Sequence, residues 1–234
     1  MRPTILLSSL LLLSSCTPVQ ADLKPAAAAD EVPFLERAAQ DSDGQIEIIA
    51  QPAPWPGDAV ITRAVTPLRV QIRNHGEIPV EVHLHAIALV SGEGRVHHAV
   101  PPVAIRGRVP SLDQPAQVVQ PGFEADRFTV AGRYRRVHPR LRNYNGPFRH
   151  DVPYYRRYYD QWSTTERLPT PEMAASAMPE GVLEAGGQVT GWLYFERVSD
   201  DAERVHLTAR LFALGEDDAE PVAKLHVPFA TTEH

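Results

Sequence analysis

The sequence predicts a mainly-β chain: an antiparallel β-sandwich interrupted by a long Arg/Tyr-rich insertion and carrying one short helix. Three observations lead there. Apolar and polar residues alternate with period two in several short runs, which is the signature of half-buried strands. Twenty-two prolines and 14 glycines punctuate the chain far too often for a helical protein. The runs are separated by turn-forming clusters, as in a sandwich of many short strands.

The strands follow in order. Residues 46–50 form the first apolar run of the body. In Leu68-Arg69-Val70-Gln71-Ile72-Arg73 the apolar side chains share one face, and Asn74-His75-Gly76-Glu77 supplies turn chemistry. The alternation resumes in Val80-Glu81-Val82-His83-Leu84-His85 and becomes nearly continuous at 87–90. Further strands are expected at 96–103 and 127–130, and the C-terminal third holds a clear trio at 188–196, 205–211 and 222–229. A helix is expected over 170–178: Thr170 can cap it, Pro171 suits the first helical position, Glu172 favours the positive end, and Pro179 stops it.

The chain opens MRPTILLSSLLLLSSC, one arginine before a short apolar stretch. A bilayer span needs about 20 apolar residues, so this stretch fits the hydrophobic segment of a signal peptide covering residues 1–15. The next residues, Leu13-Ser14-Ser15-Cys16, resemble the lipobox of bacterial lipoproteins. The resemblance implies that Cys16 is acylated, with palmitate among its chains, and becomes the mature N-terminus. Cys16 is the only cysteine, so no intramolecular disulfide is possible. Thr17 in place of an aspartate implies, by the same resemblance, the periplasmic face of the outer membrane rather than the inner one. Residues 17–44 are rich in alanine, proline and acidic side chains and show no strand period. They are expected to be a flexible tether with at most a helical turn over 32–40, leaving 45–234 as the sandwich domain.

Two stretches of that domain resemble the immunoglobulin-like sandwiches of secreted bacterial proteins. One is 68–72 followed by Asn74-x-Gly76-x-x-Pro79-Val80. The other is Leu183-x-x-Gly186-Gly187-x-Val189-x-Gly191-Trp192-Leu193-Tyr194-Phe195. Taken whole, the chain is similar to a bacterial lipoprotein family with that fold. The resemblance implies a sandwich and brings no catalytic residues with it.

The insertion, at about 131–180, has its own composition. Residues 131–160 hold eight arginines against Asp151 and Asp160, a net +6 in a chain of net −6, so the remainder carries −12. Six of the seven tyrosines lie there, and the run YYRRYYDQW spans 154–162. Arginine forks grip carboxylate or phosphate in bidentate fashion and stack on rings, while tyrosines give stiff contact area with a hydroxyl tip. Arg135, Arg136, Arg149, Tyr154, Tyr155, Arg156, Arg157, Tyr158, Tyr159 and Trp162 are therefore the candidate binding residues. Their partner would be an envelope protein or an anionic glycan or lipid, since an exported chain meets little nucleic acid. The competing use is structural, with the rings packed on the sandwich and the arginines paired with its acidic remainder.

His83-x-His85, with His97-His98 on the following strand, is a weaker candidate. Alternation would place His83 and His85 on one face, where a metal site needs them, or where they are simply the polar side of a strand. No third ligand is evident in the sequence. The Glu216-Asp217-Asp218-Ala219-Glu220 run reads as a solvated loop, with calcium binding as its alternative. There is no Gly-x-Ser-x-Gly, no phosphate-cradling glycine loop and no His-Glu-x-x-His. The expectation is a non-catalytic, lipid-anchored envelope module without a cofactor; the alternative is a metal-dependent or hydrolytic envelope enzyme built on the histidines.

Overall fold

The computed structural model describes residues 22–53, 55, 61, 65–105, 124–130, 171–199, 202–215 and 220–232. Twelve strands fall within them: β1 (Asp22–Pro25), β2 (Asp30–Glu31), β3 (Ala39–Asp43), β4 (Ile46–Gln51), β5 (Val65–Asn74), β6 (Val80–Val82), β7 (Ile87–Ser91), β8 (Val96–His98), β9 (Glu124–Val130), β10 (Gly181–Glu196), β11 (Arg204–Ala213) and β12 (Ala223–Thr232). One helix, α1 (Pro171–Ser176), precedes β10. Every ladder between strands is antiparallel. The mainly-β, antiparallel expectation holds.

The strands divide into two layers. One runs β1-β12-β11-β7-β8; the other runs β2-β3-β4-β5-β10-β9, with β6 continuing the line of β5 along β10. β11 joins them, since its last residues Phe212 and Ala213 leave the first layer and pair with Glu81 and Val80 of β6. The alternation seen in the sequence explains which faces meet. Val205, Leu207, Ala209 and Leu211 of β11 and Leu225, Val227 and Phe229 of β12 point inward, against Ile48, Leu68, Val70, Ile72, Leu193 and Phe195 of the other layer. At about 25 cal/mol per Å² of apolar surface removed from water, this shared interior is the main stabilising term.

Asn74 shapes the middle of the second layer. Its Oδ1 accepts from the Gly76 amide at 2.9 Å, and its Nδ2 donates to the carbonyls of Ile78, Leu183 and Glu184 at 2.8, 3.2 and 3.2 Å. One buried side chain thus stitches the turn between β5 and β6 to the bulge of β10 between Leu183 and Gln188. The Asn-x-Gly turn chemistry is real, but it serves an excursion within one strand line rather than a hairpin.

The outer face of the second layer is solvated at one end, where Gln71 and Gln188 are bonded in the open, and covered at the other. Trp55, Ile61, Val65, Ile105, Met173, Ala177, Trp192 and Tyr194 form a second apolar cluster there. The Trp55 ring meets those of Trp192 and Tyr194 edge-on, at 5.0 and 5.5 Å between centroids. The Tyr194 hydroxyl donates to the Met173 carbonyl at 3.1 Å, and burial pushes its pKa up. α1 and the residues after it close this end: Met173 and Ala177 join the cluster, and Met178 N–H donates to the Trp192 carbonyl at 2.9 Å.

Three expectations are corrected. Residues 22–43 are not a tether, nor do 32–40 form a helical turn. β1 pairs with the C-terminal β12, β3 pairs with β4, and Leu23, Ala38 and Ala39 are buried. Open strand edges supply the hydrogen bonds that this polar segment could not find within itself. Asp43 pairs with Ile46 across the two-residue turn Gly44-Gln45, and Gly44 at φ 61° in the first turn position is its local hairpin signal. The strand expected over 80–85 ends at Val82, and Leu84–Ala86 is a single 3₁₀ turn, because the chain there crosses from β10 to pair with β11. The strand expected over 96–103 stops at His98, with a 3₁₀ turn at Pro102–Ala104 where consecutive prolines withhold the ladder's donors.

Candidate functional site

The crossover at Leu84–Ala86 creates the candidate site. Tightening the backbone there breaks the period-two rule, so His83 is buried while His85 stands exposed. The two imidazoles nevertheless approach, with ring centroids 5.2 Å apart. Glu180, the residue before β10, comes beside them because Gly181 pairs with Val82. Ligand atoms of His83, His85 and Glu180 all lie within 4.8 Å of one another. Ligand atoms around a tetrahedral zinc stand about 3.4 Å apart, and exposed His85 is the member of the set with room to move closer.

The site is braced from behind. Glu81 Oε2 lies 2.9 Å from His83 Nε2, and both side chains are buried. An imidazole whose Nε2–H donates to a carboxylate presents Nδ1 as its basic nitrogen, the arrangement that orients histidine ligands in metal proteins. Glu81 Oε1 in turn accepts from the Gly215 amide at 3.2 Å, which ties the carboxylate to the turn after β11. Glu180 Oε1 accepts from the Leu84 amide at 2.7 Å. That bond fixes the carboxylate on the 3₁₀ turn that carries the histidines, and a carboxylate has lone pairs for a cation besides. Two nitrogens and one oxygen, with the His85 side open to solvent, suit zinc or another divalent transition ion and leave a further coordination position.

Of the histidines considered together in the sequence, two join the site and two do not. His97 points into the interior opposite Leu89. Burial holds its pKa below the ordinary value, with Arg95 acting in the same direction and Glu196 and an Arg197 backbone bond opposing. His98 is exposed on the other face of β8. Glu180 was missed because it lies 95 residues beyond His85 in the chain, and only strand pairing joins them. A second histidine pair also escaped the sequence: His206 Nδ1 and His226 Nε2 stand 2.9 Å apart on neighbouring strands.

Cys16 and the arginines and tyrosines of the insertion, from Arg135 to Trp162, lie outside the described residues. So does the acidic run at 216–219. No family model, no curated protein and no solved structure matches the chain.

Proposed function

We propose that this is a lipid-anchored protein of the bacterial cell envelope that holds a divalent transition cation, zinc foremost, on His83, His85 and Glu180. The anchor rests on the signal segment and the lipobox-like Leu13-Ser14-Ser15-Cys16. The immunoglobulin-like relationship belongs to the same reading, supported by the antiparallel sandwich. The cation reading is carried by one observation: the Glu180 carboxylate, distant in sequence, meets both imidazoles within ligand range. Glu81 behind His83 supports it, because outer carboxylates of this kind orient the ring and raise its basicity.

In this reading the ion is held between the start of β7 and the start of β10, with its open side toward solvent. The Arg/Tyr-rich insertion remains the surface for an envelope partner or an anionic glycan or lipid. Metal analysis of protein purified without chelators, followed by zinc titration calorimetry, tests the site. One ion per chain is expected, with affinity at least tenfold weaker in Glu180→Gln, which keeps an acceptor for the Leu84 amide while removing the charge. A free ligand concentration of 100 times Kd would add about 2.7 kcal/mol of stability. Metal-free protein whose melting is unmoved by zinc and by copper overturns the reading.

A further inference from the structure

The turn between β2 and β3 presents an aromatic ring that the fold does not use. Phe34 is fully exposed, at 105% of its reference area, and Leu35 beside it is 42% exposed. The Leu35 amide donates to the Val32 carbonyl at 3.3 Å, closing a four-residue turn with Pro33 second and Phe34 third. Phe34 sits at φ 69°. Proline followed by a left-handed residue is a type II turn, whose third position normally belongs to glycine. A phenylalanine there bears backbone strain and leaves its whole ring in water. Folding alone would favour glycine on both counts.

The turn lies beside the exit toward the N-terminus. Arg37, three residues after Phe34, donates to the Asp22 carboxylate and to the Leu23 carbonyl, which fastens the root of the turn to β1. Cys16 precedes Asp22 by six residues. At roughly 3.5 Å per residue the acylated cysteine is at most about 20 Å from the start of β1. Phe34 is within about 10 Å of Arg37 by the same measure. An anchored body is therefore held with this turn in reach of the leaflet.

We propose that the 32–35 turn is a second membrane contact, inserting Phe34 and Leu35 into the interfacial layer of the leaflet that holds the lipidated cysteine. Exposed Asp30, Glu31 and Glu36 surround it, so the contact is apolar and favours zwitterionic over anionic headgroups. Its strength is correspondingly insensitive to salt. The inference rests on acylation of Cys16.

The test uses the acylated full chain in phosphatidylcholine vesicles. A thioether-linked Cys16 does not react with maleimide, so Phe34→Cys carries the sole reactive thiol for an environment-sensitive fluorophore. Quenching by nitroxide-labelled lipid is expected to exceed quenching by aqueous iodide several-fold. Phe34→Gly is expected to leave vesicles roughly tenfold faster, from the lost burial of one ring, while melting at the same temperature or higher. A label as open to iodide on vesicles as in the denatured chain overturns the contact, as does a glycine variant that leaves no faster. A maleimide-reactive thiol on the mature wild-type chain removes the anchor itself, and this placement with it. A blocked wild-type thiol with a water-exposed label removes the contact alone.

Discussion

Asn74 illustrates how a single side chain carries more than its propensity suggests. It satisfies one amide and three carbonyls at a place where two strands of the layer depart from regular pairing. Asn74→Ala leaves the buried Leu183 carbonyl, and the part-buried carbonyls of Ile78 and Glu184, without this donor, and a loss of about 2 kcal/mol is expected, read as a lower urea midpoint. His97 makes a residue-scale statement about pH. Its folded pKa lies below the ordinary 6.5 because burial disfavours the imidazolium. As pH falls below about 6.5 the unfolded chain takes up a proton that the folded chain refuses, so stability declines until the folded group also titrates. His206, lowered by burial and by the nearby His226 and Arg204, contributes with the same sign. Urea midpoints at pH 7.5 and 5.5 are expected to differ, and His97→Leu to reduce that difference. An unchanged difference would assign the pH dependence elsewhere. The cation site has a residue-scale test of its own: Glu81→Gln keeps the shape behind His83 but weakens the acceptor. Zinc affinity is expected to fall about 10- to 100-fold by calorimetry, with folding preserved.

At the scale of elements, the close fit of α1 and its following segment against β10 depends on a missing side chain. A Cβ on Gly191 would stand 2.7–2.8 Å from the Met178 backbone, where no flexible group can yield. Gly191→Ala is therefore expected to cost about 1–3 kcal/mol by forcing these segments apart. The accompanying signal is a change in tryptophan fluorescence, since Trp192 and Trp55 pack at that seam. The same element scale explains the histidines. A strand continuing through residue 85 would have put His83 and His85 on one face; the 3₁₀ turn instead separates their exposure and lets a carboxylate from β10's leading edge reach both.

For the whole molecule, residues 22–43 are the decisive segment. β1 covers part of the free edge of β12, and further along that edge Asp41 and Asp43 accept from the amides of His226 and Lys224 at 2.6 and 2.7 Å. The N-terminal strands thus close the sandwich along one side and cap an edge that would otherwise be open to pairing with other chains. A chain lacking residues 22–43 is expected to lose about 3 kcal/mol, a drop in melting temperature of roughly 6–12 °C for a domain of this size. It should also self-associate in light scattering. A dispensable tether would leave both measurements unchanged.

The strands that alternate cleanly, 68–73, 205–211 and 222–229, were legible from sequence because period two is a local property and one buried face imposes it. The helix was legible for the same kind of reason, since Pro171 marks its start locally; it ends at Ser176 rather than at Pro179, because Ala177 and Met178 leave it to pair with Trp192. The acidic N-terminal strands were not, because their hydrogen bonds and burial come from β12 and β5's neighbours rather than from their own composition. Nor was the third member of the candidate site, because Glu180 reaches His83 and His85 only through the pairing of Gly181 with Val82. By itself, then, the order of residues determined a mainly-β chain and its local turns. Which polar groups meet was left to the tertiary structure, because contacts between residues a hundred positions apart arise from strand pairing and leave no periodic trace along the chain.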